Sequence, residues 1–213
     1  MPRPAQDRIK STYVDRSPSG VAIDVGSTVT NLSPALLLAW DLAATEAATA
    51  NRSFIDPEHL MLGLLRLADY ETPETLTEIG YQIEEARAIV PEITRLLHIF
   101  TTLKLDPVLL RRDLRERKTG KLPLLNWNTG PLPRRGSDRE PPKVLHRSTE
   151  SRLVFTFADD LTRRADPQGT TTLVHLLLAL LRSPHSHVGA WLRAQHVDVE
   201  ALLMTTQDSL ATS

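Results

Sequence analysis

The stretch His59-Leu-Met-Leu-Gly-Leu-Leu-Arg66 returns 116 positions later as His175-Leu-Leu-Leu-Ala-Leu-Leu-Arg182. The register holds beyond the block, because Leu76 answers to Leu192, Ile83 to Val199 and Glu84 to Glu200. Self-similarity at a fixed offset means two copies of one supersecondary unit. Upstream of His175 the alignment needs a one-residue shift, and the two connectors differ chemically. A chain of 213 residues accommodates two half-size units that share a core.

Each copy reads as a run of short helices. In the first, Ser33 is suited to cap a helix with Pro34 at its first position, followed by the Ala- and Leu-rich run Ala35 to Ala50. Asn51 to Ile55 is a connector, and Asp56 then caps a second helix begun by Pro57 and Glu58. Leu60, Leu64 and Leu67 give that helix an apolar stripe. Thr72-Pro73 opens a third helix that stops at Gly80, and a fourth carries Ile83, Ala86, Ile89 and Val90 as far as Leu97, with a kink or break expected at Pro91. The second copy has the same order: Ser148 caps a helix bearing Leu153, Val154, Phe157 and Leu161. Thr171 or Thr172 caps the next, and Val188 to Ala194 and Val199 to Met204 complete the set.

Charge places the boundaries. Leu32 to His98 holds eleven acidic residues against Arg52, Arg66, Arg87 and Arg95, whereas Thr101 to Leu145 holds eleven Lys or Arg against five acids. The division is therefore an extension over 1–31 with a possible small hairpin, a first unit over 32–98, a basic connector over 99–146, a second unit over 147–207 and a tail over 208–213. Within the connector, Asp106 to Arg117 has the pattern of a short basic helix, and Thr119 to Pro142 that of a Pro- and Gly-rich linker. The basic helix is expected to dock on the chain's own acidic unit; Arg111, Arg112, Arg115 and the linker's Trp127 are candidate contacts to a partner.

The order Leu32-Ser-Pro, then Glu46-Ala, then Ser53-Phe-Ile-Asp-Pro-Glu-His-Leu-Met-Leu-Gly-Leu-Leu65, resembles the repeat of Clp ATPase N-terminal domains. There the connector and second helix read approximately Asn-Tyr-Ile-Gly-Thr-Glu-His-Leu-Leu-Leu-Gly-Leu-Leu. The second copy is similar to it at Val174-His-Leu-Leu-Leu-Ala-Leu-Leu181 and at Val188-Gly-Ala-Trp-Leu-Arg-Ala-Gln-His-Val-Asp-Val-Glu-Ala-Leu202. The resemblance implies an all-α fold of two four-helix Clp repeats with pseudo-twofold symmetry, here joined by a long basic linker. It further implies a non-catalytic module that binds substrates, adaptors or Clp chaperone–protease subunits. In such domains a hydroxyl at the first helix and a Glu at the head of the second contribute to a phosphoarginine pocket, positions that Ser33 and Glu58 match. Ser148 matches the hydroxyl in the second copy, but Val174 stands at the Glu position and cannot accept a guanidinium hydrogen bond. A decoy that sequesters a phosphoarginine-type or small ligand is the alternative, and a nucleic-acid-associated regulator using the basic connector is a third.

No Gly-x-x-x-x-Gly-Lys-Ser/Thr loop, Gly-x-Ser-x-Gly elbow or His-Glu-x-x-His helix occurs, and there is no cysteine, so the expectation is a non-enzyme with no cofactor and no metal. His59 and His175 are expected to bond to backbone, and His185, His187 and His196 to be solvated. Met1 to Asn31 lacks the apolar core of a signal peptide, and no uncharged apolar run approaches the roughly 20 residues of a membrane span. No membrane partner and a cytoplasmic location follow as expectations. Without aromatic residues interleaved among the basic ones, nucleic acid is an improbable partner.

Overall fold

A computed structural model of the protein describes residues 31–119 and 146–211. The expected N-terminal hairpin and Pro/Gly-rich linker, with Trp127, lie outside the described residues. Among the described residues the chain is predominantly α-helical, and no helix is long and apolar enough to cross a membrane. The first unit contains α1 (Pro34–Thr49), the two-residue strand β1 (Phe54–Ile55), α2 (Pro57–Arg66), a 3-10 turn (Leu67–Tyr70), α3 (Pro73–Glu78) and α4 (Ile83–Thr102). After α5 (Pro107–Thr119) come β2 (His146–Arg147), α6 (Thr149–Ala165), α7 (Leu173–Arg182), α8 (Val188–Ala194) and α9 (Val199–Ala211).

Hydroxyl caps set several of the helix starts. Ser33 Oγ accepts the Leu36 N–H at 3.1 Å, and Ser148 Oγ accepts the Ser151 N–H at 3.2 Å. At α2 and α7 a histidine replaces the usual Glu of a capping box. The Asp56 N–H donates to His59 Nδ1 at 3.0 Å, and the Thr172 N–H donates to His175 Nδ1 at 3.2 Å. This is the backbone role expected of the repeated histidines, and it requires a neutral imidazole with its proton on Nε2. Thr172, rather than Thr171, is thus the cap of α7.

Helix ends are set by left-handed residues. Asn51, Gly80, Lys104 and His196 have φ of 53°, 103°, 56° and 61° and follow α1, α3, α4 and α8. The next N–H in each case turns back to the helix: Arg52 to Ala47 O, Tyr81 to Leu76 O, Leu105 to Phe100 O and Val197 to Leu192 O. These are Schellman closures, three of them made without glycine. The helix α4 runs through Pro91 instead of ending there. Pro91 and Arg87, whose carbonyl loses its donor, are both exposed, so water can serve that carbonyl.

The buried side chains form one aliphatic core drawn from both halves of the chain. In α6 the inward face is Ser151, Val154, Phe155, Ala158 and Thr162. Leu153, expected on that stripe, is instead exposed, and Phe155 takes the core position because it continues the i+4 step from Ser151. Helices α1 and α2 approach closely at Gly63, where a Cβ would stand 2.3 Å from the Ala39 carbonyl oxygen and 3.0 Å from the Ala43 nitrogen. The corresponding residue of α7 is Ala179, so one methyl group distinguishes the two crossings in the sequence.

The two halves are tied by short parallel pairings. Phe54 pairs with His146 and Ile55 with Arg147, and the Ile55 carbonyl accepts from Ser148 N–H at 3.1 Å and Ser151 Oγ–H at 2.6 Å. Conversely, Leu32 bridges Thr171; Ser33 N–H donates to Thr171 O at 3.0 Å and Thr171 N–H to Asn31 O at 2.8 Å. The residues leading into α1 thus meet the connector before α7, and those leading into α6 meet the connector before α2.

Two substitutions test these constraints by chemical denaturation. Gly63→Ala is expected to destabilise by about 2–3 kcal/mol through overpacking against Ala39, whereas Ala179→Gly should cost only about 1 kcal/mol of helix propensity. His196→Gly should stabilise by about 0.5–1 kcal/mol, because it relieves a left-handed backbone without removing a core contact.

Candidate functional site

The helix caps of the first unit are where hydroxyl, carboxylate and helix N-terminus come together. Glu92 lies on α4 between Ile89 and Leu96, three and four residues away on the buried stripe, so its carboxyl is carried to the edge of the core. Its Oε1 accepts the Ser33 Oγ–H at 2.9 Å and the Leu173 N–H at 2.5 Å. One carboxyl oxygen therefore joins the N-terminus of α1 to the N-terminus of α7. Burial pushes the Glu92 carboxyl above its ordinary value, against the opposing pull of the Leu173 and Ser33 hydrogen bonds and the Arg95 charge. Burial likewise holds the His175 imidazole below its ordinary value, which favours the neutral form its capping role requires.

Ser33 itself is buried, with its oxygen accepting from Leu36 and its proton given to Glu92. A phosphoryl group brought to this hydroxyl would face the Glu92 carboxyl. That counts against Ser33 as the anion-binding half of a ligand pocket. Glu58 sits half-buried in the first turn of α2, beside buried Pro57. In the second half, Val174 is buried in the core, and Ser148 is occupied by Ser151 as cap acceptor and hydroxyl neighbour.

The basic helix α5 packs on α2, with Leu110 and Leu114 buried beneath it. Arg115 makes a two-pronged contact to Glu46 of α1, with Nε donating to Oε2 at 2.9 Å and Nη2 to Oε1. The same carboxylate meets Arg66 Nη1 at 3.4 Å, and Arg111 Nη1 donates to Asp69 Oδ2 at 2.6 Å. Arg111 and Arg115, offered from sequence to a partner, are thus engaged within the chain; Arg112 points outward and pairs with its neighbour Asp113 at 3.2 Å. Glu46 and Arg66 are only 3% and 1% exposed. A carboxylate so deeply placed is tolerable because two guanidinia meet it. The adjoining Tyr70 hydroxyl is pushed above its ordinary value by burial, which outweighs the opposing Arg66 charge.

The roles of Glu46, Glu92 and Arg147 were not read from the sequence, where Glu46 entered only as part of the family resemblance. Glu46 had a signal, since it and Asp41 are the only charges in the apolar run of α1. Glu92 had none, because a Glu beside a proline on an amphipathic helix reads as solvent-facing. Arg147 was read only as a boundary. Its guanidinium lies 5.5 Å from the Trp40 ring centroid and 5.7 Å from that of Phe155, and the two rings meet edge to face at 5.1 Å. Among the described residues no group of three or more His, Cys, Asp or Glu is placed to hold a metal ion.

No protein-family model matches the chain, and no curated protein matches it.

Glu92 can be separated from a simple structural acid by comparing two substitutions across pH. Glu92→Ala strips the acceptor from Ser33 and Leu173 and is expected to cost about 1–3 kcal/mol. Glu92→Gln keeps an acceptor oxygen and removes the burial penalty. Because the folded carboxyl titrates above the ordinary 4.5, its proton-linked contribution to stability is full below pH 4.5 and is lost as pH rises through the folded value. The stability of Glu92→Gln relative to wild type is therefore expected to increase with pH above 4.5, as read by urea denaturation from pH 4 to pH 8.

Proposed function

We propose that this chain is a non-catalytic protein-interaction module of the Clp N-terminal type. It binds substrates, adaptors or Clp chaperone–protease subunits and so modulates which proteins are degraded. The observation that carries this reading is the use of its reactive-type side chains. Ser33, Ser148, Ser151, His59 and His175, five described groups with chemistry for nucleophilic or acid–base work, are each bonded to a helix N-terminus or an inter-helix crossing. Groups so engaged hold helices in place, and on this reading binding falls to the surface. The reciprocal pairing of each half's leading residues with the other half's connector supports two repeats related by a pseudo-twofold axis, each of four helices. That surface includes Phe54, Val108, Leu109 and Leu153, exposed apolar side chains on β1, α5 and α6.

A pull-down from native lysate tests the reading, with wild type, Glu58→Ala and the pair Val108→Asp/Leu109→Asp as parallel baits. Wild type is expected to recover Clp subunits or their client proteins, with recovery reduced at least fivefold by one of the two variants. Folded wild-type bait that recovers none of these proteins would sink the proposal.

A further inference from the structure

The seat of α5 is the least interwoven of the long-helix contacts. Helix α1 packs on α2, α4 and α7, and α4 packs on α1, α3, α7 and α9, whereas α5 packs substantially on α2 alone. Its apolar anchor is Leu110 and Leu114, one helical turn apart. Its polar anchor is Arg111 on Asp69 and Arg115 on Glu46, again one turn apart. Lifting α5 away would leave the packing of α1, α2, α4 and α7 on one another unchanged. It would also vacate the places of Leu110 and Leu114 and leave Glu46 with Arg66, at 3.4 Å, as its remaining guanidinium partner of the two. Such a surface has a defined complement, because a buried carboxylate stripped of one of its guanidinia favours another over any neutral group. The acidic balance of residues 32–98 adds long-range attraction for a basic segment.

We propose that the face of α2 beneath α5, with Glu46 and Asp69 at its edges, is a docking surface for an amphipathic helix of a partner protein that carries leucine–arginine pairs four residues apart, and that α5 is its intramolecular competitor. This inference rests on the interaction-module reading and names the surface and the kind of partner. An α5 at rest in the seat keeps the module closed. A partner helix with the same pattern and a larger apolar face opens it, since the two compete for one carboxylate and the places of Leu110 and Leu114.

The test uses the full chain and a fluorescein-labelled synthetic peptide of residues 106–119 as probe, read by anisotropy. Leu110→Asp/Leu114→Asp in the protein removes the apolar anchor of the resident helix, and Arg111→Ala/Arg115→Ala removes the polar anchor by a different route. Both variants are expected to bind the probe at least tenfold more tightly than wild type, and addition of Glu46→Gln to either is expected to reverse the gain. Binding no tighter than wild type in both variants, or loss of cooperative unfolding in both, would make α5 a permanent part of the fold and overturn the proposal. A wild-type dimer in light scattering that these variants abolish would assign the seat to a second copy of this chain and overturn the partner assignment. The probe signal is independent of Glu58 and of any lysate protein, so a failed pull-down with successful probe binding would remove the Clp reading and leave the docking surface standing.

Discussion

Everything in the arrangement of helices depends on two short exchanges of backbone hydrogen bonds. Each is barely longer than a single ladder step, yet each fixes the entry of one helix against the connector of another: α1 against the residues before α7, and α6 against those before α2. Buried peptide groups at such crossings have to be paired, and here they are paired with each other. Ser33 and Ser151 reinforce the exchange from their side chains, one through Glu92 and the other directly on the Ile55 carbonyl. Aliphatic packing fills the space between the helices, and the two exchanges fix the angles at which they meet.

Several polar residues at the helix junctions link elements rather than serving their own helix alone. Glu46 joins α1 to α2 and α5; Glu92 joins α4 to the starts of α1 and α7; Arg147 sits against aromatic rings from α1 and α6. A core dominated by Leu and Ala specifies volume well and orientation poorly. Directional hydrogen bonds at the helix junctions supply the orientation that leucines cannot.

Local chemistry was the legible part of the sequence. Ser-Pro, Asp-Pro and Thr-Pro mark the starts of α1, α2 and α3, and the charge asymmetry pointed to α5 lying on the acidic unit. Termination was less legible, because Asn51, Lys104 and His196 adopt left-handed backbone where only a glycine would have announced it. In α6 the expectation included Leu153, whereas the buried face runs through Ser151, Val154, Phe155, Ala158 and Thr162 and leaves Leu153 exposed. The candidate site was hidden by distance. Ser33 is recognisable as a cap, but the partner that occupies its proton lies 59 residues on, and the carboxylate that receives Arg115 lies 69 residues before it. No local pattern records such pairings.

The exchanges between the halves also govern how the chain can be made. Ile55 waits for Ser151, 96 positions later, and Asn31 for Gln168, 137 positions later. Contacts of that span are paid for in loop-closure entropy before they return anything, which places them late in folding. On the ribosome, the α1–α2 hairpin can form as soon as it emerges, but its two backbone seams stay unsatisfied until the second half has been synthesised. The nascent first half therefore presents open strand edges and an uncovered leucine face until residues 146–171 have been made, and its solubility during that interval falls to its acidic surface.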